Sequence, residues 1–366
     1  MNTEIRRERS SNFELMRVIM MITIIAHHYV VNSGITERYN YSEISFNMLF
    51  LQLFGFGGKA MINGFLLITG YFTIKKKFSI EKLIKLYLEV KFYKFIIYVL
   101  MILLGVESLN IMGALKTIFS SIYDVNVGFT STFLLLYILT PYLNKLLNSI
   151  TEKQYQILIG ILIFYFTIIS TFSVSNNTFN EIGWYITVYM IGGYFKLYDK
   201  KIWNNKKLFS ITTMVLLFAA AGSILLITLF NSITGHRLAP YYFVINAHKI
   251  IAILLAVSMF LLFKNINIKT NKVINTISLA TFGVLQIHAN SDSMRYFIWN
   301  KCFNVVGQYD SKYLIIHAVL TVLLIYVVCT IIDLARIKYI EEPMVKSLRK
   351  NNRYIEICSK INNIVN

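Results

Sequence analysis

The chain has 366 residues, of which 56% are hydrophobic, 15% aromatic and only 15% charged. A soluble domain carries far more charge, so this composition excludes a soluble globular protein and indicates one that crosses a membrane several times. The net charge of +18 does not indicate nucleic-acid binding, because the Lys and Arg residues are dispersed between apolar runs without an aromatic RNA-binding motif.

Apolar runs along the chain predict an all-α polytopic membrane protein with a bundle of about ten transmembrane helices. Each run is long enough to cross about 30 Å of hydrocarbon. The runs lie at 13–31, 48–73, 84–105, 129–147, 155–172, 182–198, 209–230, 243–263, 273–290 and 313–334, and 107–122 is the candidate for an extra or re-entrant segment. No loop is long enough for a separate soluble domain.

The distribution of Lys and Arg predicts that both termini are cytoplasmic. If the N-terminus lies inside, the inside segments hold 24 of these residues and the outside segments hold 6. Such a bias toward inner loops is typical of membrane proteins. We therefore expect a cytoplasmic basic segment at 1–12, one transmembrane domain at 13–343 and a cytoplasmic basic tail at 344–366.

Two ionisable residues, Arg17 and His28, lie inside the first apolar run. A charged side chain near the bilayer centre costs about 3 kcal/mol on insertion scales, so such residues indicate a functional site. Eleven positions at roughly 100° each return to within about 20° of the same helix face, about 16 Å further along the axis. Arg17 and His28 therefore share one stripe, whereas His27 lies about 80° away. Glu14 is placed to pair with Arg17.

The chemistry of these two side chains predicts two roles. The guanidinium of Arg17 is permanently charged and suits a phosphate or the developing oxyanion of a carbonyl under attack. A neutral imidazole at His28 suits a general base that activates a substrate hydroxyl. The alternative is a structural Arg near the cytoplasmic end and a His that is bonded to a neighbouring carbonyl.

Several other classes of site are missing from the sequence. It contains no P-loop, no H-E-x-x-H, no G-x-S-x-G and no Cys/His cluster with metal-ligand spacing. The cysteines, Cys302, Cys329 and Cys358, form no C-x-x-C pair. We expect no metal site, and these absences argue against a nucleotide hydrolase and a serine esterase.

Five segments carry a further pattern. They are FELMRVIMMITIIAHH, with Arg17 and His28; GKAMINGFLLITGYF, with Phe65, Thr69, Gly70 and Tyr71; TFLLLYILTPYLN, with Pro141 and Asn144; TFGVLQIHANSDSMRYFIW, with His288, Asn290, Arg295 and Trp299; and IDLARIKYIEEP, with Asp333, Arg336 and Glu341. In this order they resemble motifs of the acyltransferase-3 family of integral membrane O-acyltransferases, whose hallmark is an Arg and a His separated by ten residues. The third segment is similar to that of Gram-positive, polysaccharide O-acetyltransferase-like members. The resemblance covers roughly residues 12–343.

The resemblance implies a ten-helix enzyme that transfers an acyl group from cytoplasmic acyl-CoA to a hydroxyl, commonly of a surface polysaccharide. Acetyl-CoA is then the expected donor, and a capsular or other envelope polysaccharide, or a lipid-linked glycan, is the expected acceptor. The expected location is the plasma membrane of a Gram-positive bacterium, in contact with its lipids. His28 would be the general base, and Arg17 would bind the donor or stabilise the oxyanion.

Further residues are predicted to bind the two substrates. For acyl-CoA they are Arg17, Lys75, Lys76, Lys77, Lys82, Lys85 and, from the resemblance, Glu341. For the acceptor they are Lys59, Asn63, Thr69, Tyr71, His288, Asn290 and Arg295. Basic groups at a cytoplasmic mouth attract the phosphates of coenzyme A, although a Lys-rich inner loop also arises from topology alone. Lys59 and Asn63 are costly inside a span and should face a polar cavity.

Two interpretations stay open at this point. His288 could lie close to His28 across the bundle, or be a structural His bonded to Asn290 or a carbonyl. The whole chain could instead be a transporter or flippase of lipid-linked sugars or a small solute. Such carriers often show two related halves, and we find no repeat between 13–172 and 182–334.

Overall fold

The computed structural model describes residues 10–123, 128–172 and 180–366. Residues 1–9 of the predicted basic N-terminal segment lie outside the described residues. Within the described residues the regular structure is helical and contains no strand. The helices are α1 (Ser11–Val31), α2 (Phe46–Gly55), α3 (Gly58–Thr73), α4 (Ile80–Leu103), α5 (Ile111–Tyr123), α6 (Phe129–Ser149), α7 (Glu152–Ile163), α8 (Ser170–Phe172), α9 (Glu181–Leu197), α10 (Lys206–Thr234), α11 (Ile250–Lys264), α12 (Lys272–Ile277), α13 (Thr281–His288), α14 (Asp292–Tyr296), α15 (Leu314–Arg336), α16 (Glu342–Leu348) and α17 (Asn352–Val365).

Among the described residues, five helical segments are long and apolar enough to cross a membrane. They are Ser11–Val31, Phe46–Thr73, Glu152–Phe172, Lys206–Thr234 and Leu314–Leu348, and Ile250–Lys264 is a shorter apolar helix. π-helical turns at Phe164–Ile169 and Ile337–Glu341 continue two of these segments without ending them. The chain is therefore an all-helical membrane protein, and the count of ten crossings remains a prediction.

Helix occurs in each of the ten predicted ranges, but two of the ranges are divided and a third becomes helical only from Ile250. The run 48–73 is divided at Phe56 and Gly57, and a 3₁₀ turn at Ser278–Ala280 divides 273–290. Helix α11 begins at Ile250 rather than 243, because the preceding apolar residues form turns after Pro240. Hydropathy predicts burial of these segments but not the local direction of their backbone.

Contacts between helix ends show that the start of α1 and the end of α17 lie at the same end of the bundle. The contacts that define this end are Asn12–Phe263, Lys264–Asp199, Lys200–Glu152, Asn144–Thr73 and Phe78–Asn366. The opposite end is defined by Tyr29–His317, Asn47–Tyr309 and Tyr242–Thr171. We call the first the basic end, because the Lys-rich segments near 75–82 and 196–207 lie there. We predict that it faces the cytoplasm.

Helices α1 and α3 pack against each other without room for side chains at the glycines between them. A Cβ at Gly58 would lie 2.3 Å from the His27 Cβ, and one at Gly64 would lie 2.1 Å from the Met20 sulfur. Later residues of α3 thus meet earlier residues of α1, so the two helices are antiparallel. Small residues permit this close approach of membrane helices, and it puts Lys59, next to Gly58, at the level of His27 and His28.

A buried ion-pair network joins α4 to the end of α15. Arg336 pairs with Asp333 at 2.7 Å, with Glu341 at 2.8 Å and with Glu89 at 3.2 Å. Lys85 pairs with the second oxygen of Glu341 at 2.7 Å. Buried charges of this kind need partners to offset their desolvation, so the network fixes α4 against α15 near the basic end.

Candidate functional site

A cavity of about 770 Å³ lies along one face of α1, enclosed by residues of α3, α4, α6, α9 and the segment from Ser278 to Arg295. Helix α1 contributes Arg17, Met21, Ile24 and His28. These positions follow one stripe of an α-helix, as the spacing of Arg17 and His28 predicts. The volume lies in the range of small-molecule sites, about 300–1000 Å³.

Arg17 occupies the half of the cavity nearer the basic end, where Glu14 and Ser278 hold it. Its guanidinium donates to Glu14 at 2.8 Å, and the other Glu14 oxygen accepts a hydrogen bond from the Ser278 hydroxyl at 2.5 Å. The Glu14 side chain is buried, whereas 28% of the Arg17 side chain remains accessible. A fixed, partly accessible guanidinium is suited to bind an anion.

His28 occupies the other half of the cavity, where its ring meets that of His288. His28 Nδ1 lies 3.0 Å from His288 Nε2, and His288 Nδ1 lies 2.6 Å from the Val284 carbonyl oxygen. His288 is fully buried on α13, while His28 is partly exposed and lines the cavity. Of the two histidines, only His28 reaches the open space.

The hydrogen bonds assign the tautomer of each ring. A carbonyl oxygen can only accept, so His288 Nδ1 carries a hydrogen and donates to Val284. In a neutral His288 ring, Nε2 then accepts, and His28 Nδ1 must donate to it. A neutral His28 therefore has its lone pair on Nε2, the atom required of a base.

His27 has a different position. Its Nδ1 contacts the Gly55 carbonyl oxygen at 2.6 Å, and the residue does not line the cavity. The 100° turn per residue of an α-helix separates it from the stripe of His28. His27 therefore acts as a packing residue between α1 and the helix pair α2 and α3.

The half of the cavity around His28 carries several charged side chains. Lys59, Lys94, Glu181 and Arg295 line it. The Lys94 ammonium donates to the Asn290 carbonyl at 2.9 Å, and Arg295 forms an ion pair with Asp292. Water-filled or substrate-filled cavities are where membrane proteins keep such groups.

The predicted acceptor residues divide into those that line the cavity and those that do not. The residues that line it are Lys59, Thr69, Asn290 and Arg295. His288 does not line the cavity but contacts His28, which does. Asn63 is fully buried elsewhere: it donates to the Ala247 carbonyl at 2.7 Å and accepts from the Trp184 ring at 2.9 Å. Tyr71 packs among Phe13, Phe72 and Phe260. These two side chains face protein because long-range packing, which residue type does not reveal, rotates them away.

The predicted donor residues also divide. Arg17 lines the cavity, whereas Lys75, Lys76, Lys77 and Lys82 lie at the basic end outside its lining. Lys85 and Glu341 pair with each other in the network around Arg336 and do not line the cavity either. Held in that network, these two side chains have no contact with the space in which Arg17 is accessible.

Several lining residues did not emerge from the sequence, among them Lys94, Glu181, Gln286 and Thr130. The Gln286 amide donates to the Thr130 hydroxyl at 2.8 Å, which ties α13 to the start of α6 across the cavity. Lys94 could have been found by the rule applied to Lys59, because it too lies inside an apolar run. Glu181 gave no such signal, since acidic residues are common in the first turn of a helix.

The described part of the chain contains no group of three or more His, Cys, Asp or Glu side chains arranged to hold a metal. The cavity is lined by acid–base and cationic groups, which suit proton transfer and anion binding.

Comparison with known proteins identifies the family. No curated protein and no solved structure shows significant similarity to this chain. A family model described as an acyltransferase domain, Acyl_transf_3, matches residues 10–334. That match spans most of the chain and includes Arg17, His28, His288 and every residue that lines the cavity. The chain therefore belongs to the acyltransferase-3 family.

Proposed function

We propose that this protein is a membrane O-acyltransferase that moves an acyl group, acetyl in the first instance, from acyl-CoA to a hydroxyl of a cell-surface or capsular polysaccharide. The observation that carries the proposal is the hydrogen-bonded pair of His28 and His288 in the cavity that also holds Arg17. Membership of an acyltransferase family favours this reaction over the transporter alternative.

His28 is the general base in this proposal. Its Nε2 takes the proton of the acceptor hydroxyl, and the oxygen attacks the thioester carbonyl of the donor. A C–O bond forms as the C–S bond breaks. The thiolate of coenzyme A leaves and recovers the proton from the imidazolium of His28. His288 orients the ring throughout by accepting from Nδ1–H.

Lys59 is the residue best placed to stabilise the oxyanion of this step. It lines the cavity at the level of His28, because the neighbouring Gly58 packs on His27. A cation directed at the carbonyl oxygen is more effective in a low-dielectric site than in water. We therefore assign Lys59 to the reacting carbonyl and not only to the acceptor.

Arg17 belongs to the donor, at a distance from the chemistry. Arg17 lies about 16 Å along α1 from His28. At this distance its guanidinium cannot contact the thioester carbonyl when the acceptor hydroxyl attacks it next to His28. The guanidinium suits a phosphate of coenzyme A, whose long pantetheine arm would then carry the thioester toward His28. Of the two roles that the sequence leaves open for Arg17, this separation favours donor binding.

The donor would enter from the basic end, which we place in the cytoplasm. The exposed Lys75 and Lys77 lie there and would raise the local concentration of an anionic donor by long-range attraction. The acceptor would reach His28 from the opposite end. This arrangement is consistent with a plasma-membrane enzyme of a Gram-positive bacterium, the location that the resemblance implies.

The experiment that tests the proposal follows a labelled acetyl group. The purified protein in lipid nanodiscs is given acetyl-CoA with a labelled acetyl group and envelope glycan extracted from the source cells. We expect label in the glycan and an equal amount of free coenzyme A. Folded protein that releases no coenzyme A from acetyl-CoA or longer acyl-CoA donors would overturn the proposal, as would uptake of a solute by proteoliposomes without acyl transfer.

A further inference from the structure

A second, open cleft of about 370 Å³ lies where α1 ends, opposite the basic end. Its lining is Asn32, Ser33, Gly34, Asp292, Arg295, Tyr296 and Asn300. Asp292 and Arg295 also line the cavity that holds His28. The two spaces therefore meet at this ion pair, and a ligand in the cleft is adjacent to the site where the base acts.

The side chains that line the cleft are polar and carry no net charge; the Lys301 ammonium is outside this lining, 5.8 Å from the Tyr296 ring centroid. Asp292 and Arg295 neutralise each other as an ion pair. The other functional groups are the amides of Asn32 and Asn300 and the ring of Tyr296, which is 48% exposed. Amides both donate and accept hydrogen bonds, and an exposed tyrosine combines an apolar ring with a hydroxyl. These groups match a polyhydroxylated, uncharged ligand.

One donor in the lining has no partner. The side-chain nitrogen of Asn32 is buried, and no described residue accepts a hydrogen bond from it. A buried donor without a partner is unfavourable, and such groups are few in folded proteins. The neighbouring Ser33 hydroxyl differs, because it accepts from the Ile35 amide at 3.2 Å. The Asn32 nitrogen is closed to solvent in this conformation, so it would reach an oxygen atom of a ligand after rotation of the amide into the cleft that the residue lines.

We propose that this cleft is the acceptor subsite and that it binds a neutral sugar unit of the glycan. The inference rests on the proposed function and adds the substrate class and the residues that recognise it. Asn32 and Asn300 would hydrogen-bond to sugar hydroxyls, and Tyr296 would cover an apolar ring face. A further hydroxyl would then project past Asp292 and Arg295 toward His28. A strongly anionic sugar fits poorly, because the lining offers no excess positive charge.

Steady-state kinetics separates this inference from the proposed function. Asn300→Ala and Tyr296→Ala should each raise KM for the glycan at least tenfold and leave KM for acetyl-CoA unchanged. Asn40→Ala, at an exposed position near the same end and outside the cleft, is the control. An active wild type whose glycan KM does not change in either variant would overturn the cleft assignment alone. A wild type without glycan-dependent release of coenzyme A would overturn the proposed function itself.

A binding measurement tests the cleft without turnover. Neutral and acidic oligosaccharides are released from the envelope glycan, separated and added to the wild-type protein in the absence of acetyl-CoA, with saturation-transfer NMR as the readout. The neutral fraction should bind, and Asn300→Ala should weaken it at least fivefold. Binding of the acidic fraction alone, of neither fraction, or of the neutral fraction equally to wild type and variant would contradict the inference.

Discussion

His28 Nδ1 and His288 Nε2 lie 3.0 Å apart, and this one contact joins a cavity-lining imidazole to a fully buried one. The buried ring is fixed in turn by the Val284 carbonyl. A chain of two donors and two acceptors thus determines which nitrogen of His28 faces the substrate. The sequence predicts the first histidine from its position in a span and leaves two interpretations open for His288; in the fold this residue both contacts His28 and is bonded to a carbonyl.

Removal of the His288 ring tests its role as a positioning residue. His288→Ala should lower kcat by about 10²-fold, within the contribution of general acid–base catalysis, while KM for both substrates stays near the wild-type value. His288→Gln places an amide near the lost Nε2 and should restore part of kcat. The measurement is initial-rate kinetics in nanodiscs. A large rise in KM for the glycan with unchanged kcat would instead assign His288 to acceptor binding.

Arg17 should act on the donor alone. Arg17→Ala is expected to raise KM for acetyl-CoA by about 10- to 100-fold, the effect of losing a charge-assisted hydrogen bond worth about 1.5–3 kcal/mol. Arg17→Lys should give an intermediate value, because an ammonium keeps the charge but not the fork of donors. The comparison is Lys75→Ser with Lys77→Ser, whose positions lie outside the cavity and whose loss should raise KM less, because they act only by long-range attraction. An equal rise in KM in that double variant would argue against a specific role for Arg17.

The network around Arg336 should stabilise the fold rather than bind a substrate. Arg336→Ala leaves Asp333, Glu89 and Glu341 without their shared partner, and breaking a buried ion pair costs about 3–5 kcal/mol. We expect a marked fall in the unfolding temperature in detergent. Arg38→Ala is the control, because its pair with Asp310 is exposed and worth about 1 kcal/mol or less. Similar unfolding temperatures for the two variants would contradict this account.

The close contact between α3 and α9 leads to a second prediction about stability. A Cβ at Gly70 would lie 2.0 Å from the Tyr189 carbonyl oxygen, a backbone atom that cannot turn aside. Gly70→Ala should therefore force the helices apart and destabilise the protein by about 1–3 kcal/mol, the range for overpacking. Gly160→Ala meets no heavy atom within 4 Å and should be neutral or slightly stabilising. Denaturant titration of both variants measures their free energies of unfolding. Equal values for Gly70→Ala and Gly160→Ala would contradict tight packing at this contact.

Helical periodicity predicts a large part of the site, because it depends on local geometry alone. Arg17 and His28 line one cavity as their spacing requires, and the cost of a buried cation correctly favours a polar environment for Lys59. Asn63 carries the same cost, yet it is satisfied by Ala247 and Trp184, which are far away in the chain. Residue type indicates that a polar group needs partners but not whether protein or substrate supplies them.

Charge pairing between residues far apart in the chain is the other property that the sequence does not reveal. Lys85 resembles the other lysines near the basic end, yet it is bound to Glu341, some 250 residues later in the chain. Its predicted contact with the donor therefore finds no support in the geometry. The start of α11 at Ile250 also depends on a contact with a distant part of the chain. Apolar residues after Pro240 form turns instead of helix, and Tyr242 among them donates a hydrogen bond to the Thr171 carbonyl.

In the proposed reaction His28 supplies the base, and the adjacent His27 provides a matched control. We would measure glycan-dependent release of coenzyme A from acetyl-CoA by wild type, His28→Ala and His27→Ala in nanodiscs, after confirming equal insertion. We expect His28→Ala to lose activity by at least about 10²-fold, whereas His27→Ala, which keeps the Cβ that packs on Gly58, should retain most of it. Full activity in His28→Ala, or equal losses in both variants, would contradict this role of His28.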